Sequence, residues 1–363
     1  MFLVNFQTKD IQMLKRRTFL GNAIGISALS LTPFTLWPNS LTTAQTTNKI
    51  LPKRLKKGDT IGLVAPGYAI KEEVLEHAKK VLISMGFVPY HTDRILWNHG
   101  YFSNTDAERA ADVNEMFANP NIDGILCARG GYGCTRIMDI LDYEMIKQHP
   151  KVLVGFSDIT ALLNGIYNRT GLVTFHGPVG STIDDAYSIT ELKSILMHPR
   201  GNYTIKNAKI KDTELLTNPE FDRYTITSGV AEGILVGGSL TLINALIGTK
   251  DEIDFTDKIV CIEDVEESPY RIDRMLTQLL EGPTFKKAAG IVIGVCKGCD
   301  KPKSPASFTL KEVILDRLSP LQIPAVYGMS FGHVEQNFTF PIGIKATLNT
   351  DKMTLTLLEQ AVI

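Results

Sequence analysis

The sequence predicts an α/β protein with two domains, and three observations lead to this prediction. Strand-like and helix-like segments alternate from residue 60 to residue 175, a pattern typical of a parallel sheet with helices on both faces. Residues 188–228 interrupt this alternation with a polar, mixed stretch. The alternation then resumes and ends in mostly β-like segments, which predicts a mixed α/β domain that is rich in strands.

In the first half, short apolar runs predict buried strands, and apolar residues spaced three and four apart predict helices. The predicted strands cover residues 60–65, 87–91, 123–128, 152–156 and 172–175, and the predicted helices cover 71–84, 106–118, 135–141 and 158–169. Thr105 is expected to cap the second helix, and Gly86 to end the first. We therefore assign residues 49–187 to an N-terminal domain.

The second half is assigned in the same way. The predicted strands cover residues 231–236, 259–263, 290–295, 325–329, 338–341, 345–348 and 354–358, and the predicted helices cover 239–247, 271–280 and 310–318. A turn is expected at Gly237-Gly238. Residues 229–363 are assigned to a C-terminal domain, and residues 188–228 to the connection between the domains.

Residues 1–48 are typical of an export signal and a linker rather than of a folded domain. Lys15-Arg16-Arg17 precedes an apolar run over residues 21–36, and small residues follow as far as Ala44. The paired arginines resemble a twin-arginine signal. The run is short for a membrane span, which needs about 20 apolar residues. The alternative is an uncleaved anchor. Either alternative places the folded part outside the cytoplasm, and we expect a periplasmic location. Removal of the signal would leave no stable membrane span.

Composition and charge exclude several classes of protein. Hydrophobic residues make up 44% of the 363 residues, which supplies ample material for a core. The net charge of −1 argues against nucleic acid as the main partner, because phosphate binding needs a basic excess. Cys296 and Cys299 lack the second pair, or the histidines, that a zinc site needs. We therefore expect no metal and no cofactor.

The segment Val152-Leu153-Val154-Gly155-Phe156-Ser157 has the features of a nucleophile elbow. An apolar strand ends in Gly-x-Ser, and a helix is expected to start at once. Such a turn raises the serine above the sheet and directs a helix N-terminus at it, which favours negative charge there. The alternative is that Ser157 only caps the helix.

The loop Arg129-Gly130-Gly131-Tyr132-Gly133 follows the preceding strand. Ligands of open α/β sheets bind at that edge. The N–H groups of Gly130 and Gly131, together with that of Asp158, are candidates for an oxyanion hole. A nucleotide phosphate loop is the alternative, although the glycine spacing matches neither common phosphate-binding pattern.

Two further segments carry titratable side chains that suit catalysis. Glu263 and Asp264 end a predicted strand, where a carboxylate is well placed to orient a base, although solvated carboxylates or a helix cap would have the same pattern. His333 follows a strand and the flexible Gly332, a position that suits a general base. His176, which also follows a strand, is its only serious rival among the seven histidines.

Together these segments resemble the LD-carboxypeptidase family, serine peptidase family S66, which also includes peptidases of the microcin-immunity type. The resemblance spans roughly residues 55–359. The motifs that carry it are Leu63-Val64-Ala65-Pro66, Cys127-Ala128-Arg129-Gly130-Gly131-Tyr132-Gly133, Gly155-Phe156-Ser157-Asp158-Ile159-Thr160, Ile262-Glu263-Asp264 with Pro269-Tyr270-Arg271-Ile272-Asp273-Arg274, and Gly332-His333.

The resemblance implies a Ser–His–Glu mechanism in a site between an N-terminal Rossmann-like domain and a C-terminal domain. Ser157 would be the nucleophile, His333 the base, and Glu263 the group that orients the imidazole, with Asp264 as the alternative orienter. Because a carboxypeptidase must recognise a free carboxylate, we expect Arg129 to bind it. The alternative is that Arg129 ties loops together. Family members are commonly homodimers.

The implied reaction cleaves an L,D-peptide bond and releases terminal D-Ala from murein tetrapeptide. The predicted export signal distinguishes this chain from the typical family members, which act in recycling in the cytoplasm. It suggests a peptide or muropeptide substrate in the periplasm. The first alternative is a peptidase of the microcin-immunity type that cleaves an aminoacyl-nucleotide amide. The second is a non-catalytic exported binding protein, which predicts tight ligand binding without turnover.

Overall fold

Two β-sheets with flanking helices form the part of the chain that the computed structural model describes, which is residues 48–210, 218–301 and 306–363. The described residues belong to one compact unit. The twin-arginine-like signal and its apolar run lie outside these ranges. Within them, no helix has both the length and the hydropathy needed to cross a membrane.

The first sheet has six strands, and five of them come from the first half of the chain. These five run parallel, and the two central ones are apolar and fully buried, as the sequence predicts. The strands are β1 (Thr60–Val64), β2 (Val88–Tyr90), β3 (Gly124–Cys127), β4 (Val152–Gly155) and β5 (Thr174–His176). The helices are α1 (Glu72–Met85), α2 (Asp106–Ala118), α3 (Cys134–Ile137), α4 (Tyr143–Gln148), α5 (Thr160–Thr170) and α6 (Ala186–Leu196).

The second sheet has eight strands and is mixed in direction. Its strands are β6 (Tyr203–Ile205), β7 (Tyr224–Thr227), β8 (Val230–Ser239), β9 (Lys258–Glu263), β10 (Gly290–Gly294), β11 (Ala325–Met329), β13 (Lys345–Asn349) and β14 (Thr354–Leu357). They lie in the order β6-β14-β13-β8-β9-β10-β11-β7, with β8 to β11 parallel. The helices are α7 (Leu240–Leu246), α8 (Pro269–Glu281) and α9 (Leu310–Leu318). Strands β6 and β7 show that residues 188–228 also contribute to this sheet.

The sixth strand of the first sheet comes from the far end of the chain. After β11, the chain leaves the second sheet and forms β12 (Phe340–Ile342), which pairs antiparallel with β5 so that Phe340 lies opposite His176. The crossing segment 330–339 is held by Asn337, whose side chain accepts from the N–H of Gly332 and whose own N–H donates to Ser188. His333 therefore lies where the chain passes from one sheet to the other.

Helix α5 is hydrogen-bonded to the end of β8. The Asn164 side chain donates to the carbonyl of Gly237 at 2.9 Å and accepts from the N–H of the same residue at 3.2 Å. The hydroxyl of Thr160 accepts from the N–H of Ser239 at 3.0 Å. All of these groups are buried, so the bonds hold the start of α5 at a defined position beside the second sheet.

One local prediction is wrong. The sequence predicts a turn at Gly237-Gly238, but β8 continues through both residues to Ser239. Their φ angles are +119° and +136°, a backbone conformation that favours glycine. A Cβ atom at Gly238 would collide with the side chain of Thr160. The glycines therefore allow β8 to approach α5 closely instead of reversing the chain.

Candidate active site

Ser157 lies at a sharp, strained turn between β4 and α5. Its φ is +64°, which is uncommon for any residue other than glycine and is a recurrent feature of functional sites. A 3₁₀ turn over Ser157–Ile159 then leads into α5. The turn needs glycine at position 155, since a Cβ there would lie 2.8 Å from the side chain of Ile159. The local geometry is that of the predicted nucleophile elbow.

The side chains of Ser157, His333 and Glu263 form one continuous chain of hydrogen bonds. The Oγ of Ser157 lies 3.0 Å from Nε2 of His333, and Nδ1 of His333 lies 2.7 Å from Oε2 of Glu263. The alternative for Ser157 was that it only caps the helix. Its hydroxyl instead pairs with the imidazole of His333. Three residues that are distant in sequence thus meet in the arrangement that activates a serine.

Gly332 allows Glu263 and His333 to come this close. Glu263 is the last residue of β9 and is fully buried. A Cβ at position 332 would lie 2.5 Å from Oε2 of Glu263, and the φ of Gly332 is +105°. Any larger residue there would push the crossing segment off the carboxylate and would also strain the backbone.

The electrostatics of the pair favour a charged imidazole. Burial lowers the pKa of His333, but the charge and hydrogen bond of Glu263 outweigh this effect, so the pKa lies above the ordinary value of 6.5. Burial raises the pKa of Glu263, and His333 outweighs that effect in turn, so the net pKa of this carboxyl is lowered. Glu263 therefore stays ionised and stabilises the imidazolium that forms when His333 takes a proton.

Asp264, the alternative orienter, does not hydrogen-bond His333. Its carboxylate accepts from the backbone N–H and the hydroxyl of Thr241 and from the N–H of Val265. Burial, and then the charge of Glu263, raise its pKa to about 6. Asp264 thus serves the first turn of α7, and of the two carboxylates only Glu263 contacts the imidazole.

Gly130 and Asp158 border the serine hydroxyl. A Cβ at Gly130 would lie 2.9 Å from the Cβ of Ser157, 3.1 Å from its Oγ and 3.4 Å from the N atom of Asp158. Gly131 packs on the ring of Tyr68 with φ at +106°. The N–H groups of Gly130 and Gly131 donate to no other group within the described residues. The absence of a side chain at Gly130 leaves space beside Oγ, as an oxyanion hole requires.

Two cations lie near this site. Arg129 is exposed and forms no ion pair with another described residue. Its guanidinium carbon lies 5.7 Å from the ring centre of Tyr68. Lys297, which sequence reasoning missed, lies close enough to His333 for its charge to lower the pKa of that imidazole. It lines a cleft together with Arg223, Glu266 and Glu335. The only sequence signal for Lys297 is its place just after β10, the strand beside β9.

Two family models match the sequence. Residues 61–177 match the model described as "LD-carboxypeptidase N-terminal domain", and residues 232–348 match the one described as "LD-carboxypeptidase C-terminal domain". The chain belongs to the LD-carboxypeptidase family. It is therefore a peptidase of family S66, as its motifs predict. The three hydrogen-bonded residues lie inside the matched segments. Ser157 lies in the first segment, and Glu263 and His333 lie in the second.

Named relatives within the LD-carboxypeptidase family agree with this assignment. The chain is 38% identical to a Bacillus subtilis protein named "Probable murein peptide carboxypeptidase", over 84% of this chain and 92% of the relative. It is 30% identical to the Pseudomonas aeruginosa protein named "Murein tetrapeptide carboxypeptidase", over 81% of this chain and 94% of that relative. A solved structure of the microcin C7 self-immunity protein MccF with aspartyl sulfamoyl adenosine matches with a TM-score of 0.78 and 26% identity. The match covers 86% of this chain and 100% of that one.

Proposed function

We propose that this LD-carboxypeptidase family member is an exported serine carboxypeptidase that hydrolyses an L,D-peptide bond and releases terminal D-Ala from murein tetrapeptide. The observation that supports this most strongly is the continuous hydrogen-bonded chain from Ser157 through His333 to the buried Glu263. Family membership supports peptide hydrolysis, and the murein-related names of its relatives support the substrate class.

In the proposed reaction, the Oγ of Ser157 attacks the carbonyl carbon of the scissile bond while Nε2 of His333 takes the hydroxyl proton. The N–H groups of Gly130, Gly131 and Asp158 stabilise the negative oxygen of the tetrahedral intermediate. His333 then gives its proton to the leaving amine of D-Ala, which leaves an ester on Ser157. Water, deprotonated by His333, hydrolyses this ester and restores the serine.

Arg129 is the residue that we propose for recognition of the substrate's terminal carboxylate. It follows β3 at the same sheet edge as Ser157, and its guanidinium is exposed and without an ion-pair partner in the described ranges. A guanidinium binds a carboxylate through two parallel hydrogen bonds. An uncharged C-terminal amide cannot replace the carboxylate in such an interaction.

Mass spectrometry of the products from purified protein and murein tetrapeptide tests this proposal. We expect the tripeptide and free D-Ala, and little cleavage of the matched tetrapeptide amide. The Arg129→Ala variant should have a raised KM for the free acid and should distinguish acid from amide far less than the wild type does. An intact tetrapeptide after prolonged incubation would contradict the proposed substrate. If the variant distinguished the free acid from the amide as strongly as the wild type does, the role of Arg129 would be contradicted.

The second candidate is a peptidase of the microcin-immunity type, which the structural match to MccF with a bound aminoacyl sulfamoyl nucleoside favours. The same assay separates the two candidates when aspartyl sulfamoyl adenosine is offered beside the tetrapeptide. Cleavage of the nucleoside alone would support the second candidate. Cleavage of the tetrapeptide alone would support the first.

Export is the remaining part of the proposal, and it depends on Arg16 and Arg17 in the N-terminal segment. A twin-arginine pathway requires both arginines, so the Arg16→Lys/Arg17→Lys double variant should accumulate in the cytoplasm. Fractionation of cells that express the full chain, followed by immunoblotting, measures this distribution. Lys15→Gln, which changes the neighbouring cation and keeps the pair, is the control and should be exported normally. Periplasmic recovery of the double variant at the wild-type level would contradict the proposal.

A further inference from the structure

His176 is a fully buried histidine that the proposed reaction leaves without a role. It ends β5, where it lies opposite Gly155 of the strand that leads to Ser157 and opposite Phe340 of the strand that follows His333. His176 therefore lies between the two chain segments that carry the nucleophile and the base.

Aromatic rings enclose the imidazole of His176. It is stacked on Phe340 with centroids 4.6 Å apart, and Phe156 and Phe331 approach it edge-on at 6.0 and 5.8 Å. Phe156 immediately precedes Ser157, and Phe331 lies two residues before His333. These rings hold the orientation of the imidazole and offer its nitrogens no hydrogen-bonding group.

The two nitrogens of His176 and one oxygen of Glu263 are buried without a hydrogen-bond partner in the described part of the chain. His176 Nε2 and Glu263 Oε1 face each other at 4.0 Å, while Oε2 of the same carboxylate is bonded to His333. A buried polar group without a partner has lost its hydrogen bonds to water and gained none in return, so these atoms have a strong tendency to pair. A movement of about 1 Å would bring them to hydrogen-bonding distance.

The protonation state of His176 suits a donor. Burial lowers its pKa to about 4, against the opposing effect of Glu263, so the ring is neutral at neutral pH. A neutral imidazole carries one N–H, and the tautomer with hydrogen on Nε2 directs it at the carboxylate. Such a donor satisfies Oε1 without neutralising the charge that His333 needs.

We propose that His176 is a positioning residue that donates from Nε2 to Oε1 of Glu263 and so holds the other carboxylate oxygen on His333. This inference rests on the proposed Ser–His–Glu mechanism. It assigns the second oxygen of the buried glutamate to a second histidine, so that the carboxylate is held from both sides.

The experiment compares the His176→Phe variant, which keeps an aromatic ring but has no donor, with His176→Gln, whose amide nitrogen lies about as far from the backbone as Nε2. Two rates are measured: kcat for D-Ala release and the rate at which a fluorophosphonate labels Ser157. We expect His176→Phe to lower both rates about 10-fold or more, with KM nearly unchanged, and His176→Gln to recover most of the loss. In a Glu263→Ala background, which removes both carboxylate oxygens, His176→Phe should have no further effect.

Three results would overturn the inference: wild-type rates in His176→Phe, an equal loss in His176→Gln, or the same fold loss with and without the Glu263 carboxylate. Thermal unfolding checks that each variant is folded, and His176→Leu replaces the Phe variant if that one is not. Labelling of wild-type Ser157 without release of D-Ala would count against the proposed substrate, while the labelling rates would still test His176.

Discussion

Replacement of Ser157 by alanine is expected to lower kcat about 10⁴- to 10⁶-fold, which would remove essentially all turnover. The hydroxyl is the atom that attacks in the proposed mechanism, and its hydrogen bond to His333 activates it. The change removes one oxygen and keeps the Cβ, so the fold and substrate binding should be preserved. Steady-state kinetics with murein tetrapeptide, together with calorimetric measurement of binding, check this expectation.

A matched serine replacement controls for nonspecific effects. Ser84 lies in the last turn of α1, where its exposed hydroxyl donates to the carbonyl of Val81, so Ser84→Ala should retain wild-type kcat and KM. Residual turnover of more than about 1% in the Ser157 variant would mean that another group attacks the peptide.

Replacement of Glu263 by glutamine should lower kcat about 10⁴-fold. Glutamine has nearly the same shape, but its amide can donate to Nδ1 of His333. That donation would place the imidazole hydrogen on Nε2, where the proton of Ser157 must be received. The change also removes the charge that stabilises the imidazolium. Stopped assays with high enzyme concentration measure the residual rate.

The pH dependence of the same variant gives a second readout. In the wild type, His333 must be neutral to act as a base, and its raised pKa places the acidic limb of kcat/KM above pH 6.5. Loss of the Glu263 charge lowers that pKa, so the limb of the variant should move to lower pH. Glu232→Gln, which removes an exposed carboxylate paired with Lys345, is the control and should change neither rate nor limb. An unshifted limb in Glu263→Gln would contradict this role of the carboxylate.

Much of the fold follows from local sequence patterns. The strands β3 and β4 are continuous apolar runs, and Thr105 caps the N-terminus of α2, as its sequence predicts. The position of β12 could not be predicted, because a three-residue strand carries no information about a pairing partner that lies more than 160 residues away. The pairing depends on the packing of the whole crossing segment.

The candidate site was predictable to the extent that its residues end predicted strands or follow them. Ser157, Glu263 and His333 have this property and also occur in recognisable motifs. The roles of Asn164 and Gly332 could not be read from the sequence, since each depends on a partner brought close by the tertiary fold. His176 was visible as a rival base, but only its burial and its distance from Glu263 indicate a different role.

The central claim is that Ser157 is a nucleophile activated by His333 and Glu263, and identification of the residue that a fluorophosphonate modifies tests it most directly. Peptide mapping of the treated wild type should place a single adduct on Ser157. The adduct should be absent from Ser157→Ala and should form far more slowly in His333→Gln. An adduct on a different serine, with the Ser157→Ala variant still hydrolysing peptide, would contradict the claim.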